Sequence, residues 1–200
     1  MKKLLSLITI MICCVSMTAC NSKIVNSGRC GDTVNWSFYD DNTLVISGNG
    51  QMKEYYNSVW YEPNNVLIPW HFYTQQANKI VVEDGVESIC AFAFIDAKLC
   101  TEIEISESVV KIGHCAFEHM NSLERIIISK SVKELGSMVF HSGYYDVYYA
   151  GTQEDFEKIN IIENSGYSWD SEFYGTLYYY SEIEKPGCWH YVNNQPAIWD

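Results

Sequence analysis

The stretch Ile103-Glu104-Ile105-Ser106-Glu107-Ser108-Val109-Val110-Lys111-Ile112-Gly113-His114-Cys115-Ala116-Phe117 decides how this chain folds. Ile103 and Ile105 flank Glu104, an alternation that puts both isoleucines on one face of a strand and the carboxylate on the other. The pattern recurs at equal spacing, one unit earlier from Ile80 and one unit later from Ile126. Four further positions keep the register: Val82, Ile105 and Ile128; Val86, Val109 and Val132; Ile89, Ile112 and Leu135; Phe94, Phe117 and Phe140. One such rung cannot bury its own apolar edge. Rungs stacked about 4.8 Å apart can, because their backbones pair in a parallel sheet and equivalent side chains align. Phe94, Phe117 and Phe140 are therefore expected to form a ladder, with Ala93 and Ala116 leaving room for the rings and Val139 as a crowded variant. Glu118, the next residue in the turn, is expected to face solvent.

The period from Ile80 to Ile103 to Ile126 falls in the range of about 20–29 residues that marks a leucine-rich array. The segments Val109-Val110-Lys111-Ile112-Gly113-His114-Cys115-Ala116-Phe117 and Leu123-Glu124-Arg125-Ile126-Ile127-Ile128 resemble the BspA-type leucine-rich repeat, whose units run S-V-x-x-I-G-x-x-A-F-x-x-x-x-x-L-x-x-I-x-I. Gly28-Arg29-Cys30-Gly31-Asp32 through Trp36, and Asn42 through Gly50, resemble the opening module of such proteins; Asp146 through Thr152 resembles their usual exit. The likeness spans residues 28 to 180. Two departures stand out: Cys90 where the family has Gly, and Cys100 where the next unit has Leu123. The resemblance implies adhesion or protein contact at a bacterial surface.

An open coil needs ends that hide its apolar cross-section. Val34, Trp36 and Phe38 alternate, Asp40-Asp41-Asn42 turns the chain, and Leu44 to Ser47 returns, which predicts a hairpin cap. Trp60, Trp70 and Phe72 are expected to pack beneath it, with a helical turn near Tyr73 to Ala77. At the other end Thr152 and Asp155 form a capping-box pattern ahead of Phe156 and Ile159, predicting a short helix over 153–160. Leu177 to Tyr180 would add a last strand, and the aromatic tail from Trp189 to Pro196 is given no fold. The expected fold is mainly β: a short leucine-rich-repeat solenoid of 23-residue units with parallel strands, an N-terminal β-hairpin cap and a small mixed C-terminal cap. Its divisions are a cap module over 30–79, repeats over 80–149, a C-terminal cap over 150–180 and a tail over 181–200.

The N-terminus reads as an address. Lys2 and Lys3 precede an apolar run from Leu4 to Val15, the order of a secretory signal peptide and too short for a membrane span. Met17-Thr18-Ala19-Cys20 resembles the bacterial lipobox, which implies cleavage over residues 1–19 and a lipid on Cys20. Lipid chains there would anchor the protein to its membrane. Residues 20–29 then read as a short polar tether of about 30 Å at full stretch.

Composition narrows the function. The 200 residues carry 13 Lys+Arg against 25 Asp+Glu, a formal charge of −12; losing residues 1–19 removes two lysines and leaves 11 against 25, or −14. Such a chain repels polyphosphate, which argues against nucleic acid as a partner. Ten of its 15 tyrosines lie at or beyond Tyr144, marking a different C-terminal third. His119 and His141 stand one position short of a full repeat apart, with Glu118 nearby, but zinc sites usually show closer ligand pairs and a third ligand, so these are expected to be solvated turn residues and no metal is assigned. Carboxylate pairs such as Asp40-Asp41, Glu83-Asp84 and Glu154-Asp155 fall in turns or a helix start, where capping accounts for them. Cys90 and Cys115 are the one cysteine pair expected to be able to meet. No nucleophile motif, paired-carboxylate cleft or phosphate-cradling loop appears, so no catalytic residue and no cofactor is assigned.

The strand residues pointing away from the core are Val81, Glu104, Ile127 and Tyr148, one per rung, and they form the expected ligand-binding stripe. The expected function is that of a membrane-anchored, extracytoplasmic lipoprotein, exported to the outer side of a bacterial membrane or the cell surface. It would act as an adhesin-like module binding a protein, a host matrix component or a neighbouring cell's surface. The alternatives are an accessory or structural envelope lipoprotein without a ligand of its own, and an envelope hydrolase.

Overall fold

The computed structural model describes residues 22–55, 68–163 and 166–200. The leader, Cys20 and Trp60 lie outside the described residues. Three antiparallel strands open the fold, β1 (Ile24–Arg29), β2 (Val34–Tyr39) and β3 (Thr43–Gly48), followed by β4 (Gly50–Gln51). Helix α1 (His71–Thr74) precedes the coil. Each turn of the coil then carries two strands: β5 (Lys79–Val82) and β6 (Val86–Ile89), β7 (Glu102–Ile105) and β8 (Lys111–Ile112), β9 (Arg125–Ile128) and β10 (Glu134–Gly136). The last turn holds β11 (Asp146–Tyr149), α2 (Gln153–Phe156) and β12 (Asn160–Ile162). The chain closes with β13 (Leu177–Tyr179) and the pair β14 (Trp189–Val192) and β15 (Gln195–Ile198).

The stacking is parallel and in the register of the repeats. Ile80 lies opposite Ile103, Val82 opposite Ile105, and Ile89 opposite Ile112. One face of the coil runs β1-β2-β3-β5-β7 and resumes as β9-β11-β13, with β9 beside β7 but without a continuous ladder between them. A second face runs β4-β6-β8-β10-β12, all parallel. The sequence reading anticipated one strand per rung. The second row escaped it because those strands are only two to four residues long and their apolar positions are spaced by three, without the alternation of a long strand.

Between Phe92 and Ser142 a third face is built from tight turns. Phe92, Cys115 and Met138, and likewise Asp96, His119 and Ser142, have φ between 50° and 61°, each set repeating in register. A left-handed residue turns its N–H toward the next rung: Asp96 N donates to Glu118 O at 3.0 Å, Cys115 N to Ser137 O at 3.2 Å, and His119 N to His141 O at 3.2 Å. Side chains other than glycine cost about 1–2 kcal/mol in this conformation, a cost that a backbone hydrogen bond worth about 0.5–1.5 kcal/mol largely offsets. The serines before the second strands act in the same way. Ser108 Oγ donates to Val86 O and Ser131 Oγ to Val109 O, each at 2.8 Å on the preceding rung.

One continuous core runs from Cys30 to Ile159. Within it Phe94, Phe117 and Phe140 stack at 5.9 and 6.0 Å between ring centroids, and all three are buried. Rungs approach so closely at Gly113 that a Cβ would fall 2.4 Å from Ala91 N; Gly136 meets His114 N at the same distance. Cys90 holds the equivalent position one rung earlier. Its neighbours there are Cys30 and Glu54 of the cap, and that irregular path leaves room for a side chain where the regular rungs require glycine.

The ends bring three corrections. Residues 24–29 are strand β1, hydrogen-bonded to β2, and not a tether. The strand is exposed on both faces, so no apolar alternation announces it. Phe72 is 67 % exposed, whereas Trp70 beside it is fully buried and donates Nε1–H to Ala93 O at 2.8 Å. Third, the helix expected over 153–160 spans only Gln153–Phe156, although its capping box is formed: Thr152 accepts from Asp155 N, and the Asp155 carboxylate accepts from Thr152 N.

Candidate functional site

The four residues expected to form an outward stripe do not share one exposure. Val81 is 9 % exposed and Tyr148 only 7 %, Ile127 is half-buried, and Glu104 is open. Tyr148 is covered by the tail. Trp189, fully buried, sits edge-on to its ring with centroids 5.6 Å apart and donates Nε1–H to Tyr149 O at 2.8 Å. Arg125 Nη2 donates to Gln195 Oε1 at 3.2 Å, which ties β15 to β9. The hairpin formed by β14 and β15 is thus a lid on the last rungs. Its sequence signal is Asn193-Asn194 between the two short strands, both residues left-handed (φ 51° and 63°) as a two-residue hairpin turn requires.

Among the described residues the face is most open at β7, while β9 beside it keeps Ile127 half-buried and Arg125 held by the hairpin. Glu102 and Glu104 project from β7, and Lys79 Nζ bridges them at 3.0 and 2.7 Å. Surface pairs of this kind contribute little to stability. They do fix where two carboxylates sit, next to the half-buried Ile127 and the exposed Arg125. The arrangement offers a small mixed surface of acid, base and aliphatic edge, suited to contact with another protein.

The turn corner departs from expectation. Glu118 is 2 % exposed, not a solvated turn residue. It shares a position with Ile95 on the rung before and His141 on the rung after, and the buried Ile95 is the signal that this position points inward. His141 Nδ1 lies 2.8 Å from Glu118 Oε1, and His141 Nε2 lies 3.0 Å from Glu172 Oε2. His119 Nε2 stands 3.8 Å from the same Glu118 oxygen, and its Nδ1 is 3.3 Å from Asp96 Oδ1 without the alignment of a hydrogen bond. Spacing the two histidines against each other hides this corner, because it is Glu118 and His141 that stand a full repeat apart and so are direct neighbours across rungs.

The cysteines serve the core. Cys30, Cys90, Cys100, Cys115 and Cys188 are all buried free thiols. Cys90 and Cys115 do not pair: both are free thiols, and in register Cys90 corresponds to Gly113, whereas Cys115 corresponds to Phe92. Burial pushes the Cys30 thiol up to about 12 and that of Cys100 to about 11. Cys115 moves in the same direction, from burial first and then from the adjacent Glu118 carboxylate. None of these three offers a thiolate nucleophile at neutral pH. His114, next to Cys115, is held below the ordinary imidazole range by burial, with Nδ1 2.7 Å from Ser137 O.

Comparison with known proteins agrees with this architecture. The family described as BspA type leucine rich repeat region matches residues 69–175 in six copies. Among solved structures, a leucine-rich repeat protein from Eubacterium ventriosum superposes with a TM-score of 0.55 at 19 % identity, over 86 % of this chain and 48 % of that one. A leucine rich cell surface protein from Faecalibacterium prausnitzii gives a TM-score of 0.35 at 16 % identity, over 87 % of this chain and 61 % of that one. The chain therefore spans about half the length of the first of these proteins and three-fifths of the second. No curated protein matches the sequence.

Proposed function

This chain belongs to the BspA-type leucine-rich repeat family, and on that basis we propose that it is an exported, lipid-anchored surface module that binds another protein and catalyses nothing. The observation that carries the reading is the centre of the strand face. The antiparallel strands β1–β3 extend one end of that face and the β14–β15 hairpin covers the other, while among the described residues Glu104 stays exposed and Ile127 half-buried between them. Repeat coils put such extended faces to use in macromolecular recognition. Host matrix proteins and neighbouring-cell surface proteins are the proposed partner class. A pull-down with the chain as bait against envelope and matrix proteins tests it. A partner retained by the parent chain and lost by the Glu104→Lys/Ile127→Lys double variant supports the reading, and capture no different between the two removes it.

The anchor is Cys20, from its place after the apolar run and Met17-Thr18-Ala19. Because β1 begins at Ile24, only three residues separate Cys20 from the fold, about 10 Å at full stretch. The module would lie against its membrane. Cys20→Ala is expected to leave the protein unprocessed or released into the aqueous phase on detergent partitioning; a mature-sized product that still enters the detergent phase contradicts the anchor.

A further inference from the structure

We propose that Glu118, His119 and His141 bind a zinc-class divalent metal ion through Glu118 Oε1, His119 Nε2 and His141 Nδ1, with solvent completing the coordination. Their ligating atoms all lie within 4.8 Å of one another. Zinc takes imidazole nitrogen and carboxylate oxygen at about 2.0–2.2 Å, which places neighbouring ligands roughly 3.4 Å apart around a tetrahedral centre. The observed separations from Glu118 Oε1, 2.8 Å to His141 and 3.8 Å to His119, straddle that value.

The corner gathers carboxylates around the two imidazoles. His141 has carboxylate oxygens at 2.8 and 3.0 Å from its two ring nitrogens, and His119 has them at 3.8 and 3.3 Å without hydrogen-bond alignment. A cation between the rings and Glu118 would meet two imidazole nitrogens and one carboxylate oxygen. Glu118 favours such an ion, since a buried carboxylate is costly without a close counter-charge. The neutral thiol of Cys115 also lies beside it, with His114 within electrostatic reach, and the lysine of the corner, Lys98, is paired with Asp96 at 3.0 Å.

The surroundings have the form of a metal centre's outer shell. Histidines that ligate metals usually give their other ring N–H to a carboxylate, which fixes the ring and its tautomer. Here Glu172 lies 3.0 Å from the outer nitrogen of His141 in a hydrogen bond, and Asp96 lies 3.3 Å from that of His119, close but not aligned as one. The backbone beneath is held across rungs by the bonds from Asp96 N to Glu118 O, from His119 N to His141 O and from Ser142 N to Glu172 O. An ion can reach the site from solvent, because the His119 and Glu172 side chains are 28 % and 60 % exposed. Donors of two imidazoles and one carboxylate suit zinc better than calcium or magnesium, which prefer all-oxygen sites.

The test uses the full chain in detergent, stripped with a chelator and titrated with Zn²⁺ alone against a chromogenic competitor. One Zn²⁺ per chain is expected. His119→Gln, at the most exposed of the three ligands, should weaken binding at least tenfold, and Glu172→Gln should weaken it about 10- to 100-fold by freeing the His141 ring. His190→Gln, in the tail hairpin, should leave the titration unchanged. Circular dichroism of each variant separates ligand loss from misfolding. Cobalt loading should give a d–d spectrum without a thiolate charge-transfer band. Equal Zn²⁺ uptake by the parent and a His119→Gln/His141→Gln double variant overturns the site, as does a thiolate band on cobalt.

Discussion

Phe117 carries the register in one side chain. It is fully buried, with Phe94 18° and Phe140 9° from parallel on either side, and Tyr145 Oη donates to its carbonyl at 2.8 Å. Phe117→Ala should cost about 3–5 kcal/mol, a large part of the roughly 5–15 kcal/mol a domain holds. Its neighbour Glu118 cannot serve as the exposed control that the sequence alone suggests, because it is buried in the adjoining column of Ile95 and His141. Lys130, exposed in the turn after β9, can; Lys130→Ala should stay within about 0.5 kcal/mol. Matching urea midpoints for the two variants would refute the ladder. The thiols make a second prediction at this scale. Cys30 and Cys100 keep their protons in the fold up to about 12 and 11, whereas an unfolded thiol ionises at about 8.5. A folded value raised above the unfolded one means stability is whole below that lower value and is lost as pH rises through the window. The urea midpoint should therefore fall as pH is raised from about 8 to about 10, and less steeply for Cys30→Ala/Cys100→Ala. A parallel decline in both proteins would contradict this.

Among the elements, those with apolar residues at every second position are legible in the sequence: β2, β3 and the first strand of each rung. So is α2, through Thr152 and Asp155, though not its length. The elements that escaped lack that alternation. β1 pairs by its backbone while both faces meet solvent, and β8 contributes two residues. At the candidate sites, the outward direction of Glu104 was readable, but the cover over Tyr148 was not, because it comes from Trp189, far along the chain and on no repeat position. The Glu118 corner is not legible in the sequence, because a turn with this composition resembles a solvated loop, whereas the left-handed residues on either side of it form a third stacked face. The tail hairpin can be tested as an element. Trp189→Ala removes the ring that closes the last rungs and the hydrogen bond to Tyr149 O, and should lower the urea midpoint and the hydrogen-exchange protection of β11 and β13. Unchanged protection would mean that the hairpin does not cap the coil.

Taken whole, the molecule is a coil with both ends of one face extended or covered, a continuous core, and an acidic chain whose open centre lies on β7, beside the half-buried Ile127 of β9. Stability in such arrays couples neighbour to neighbour, so changes at the exposed centre that touch no core side chain should leave the coil intact. That separation makes binding the most direct test. A binding isotherm for the captured partner, measured against the parent chain and against Glu104→Lys/Ile127→Lys with circular dichroism unchanged, should show affinity at least about tenfold weaker in the variant, a difference of about 1.4 kcal/mol. Equal affinity in the two would place recognition away from the strand face and contradict the account.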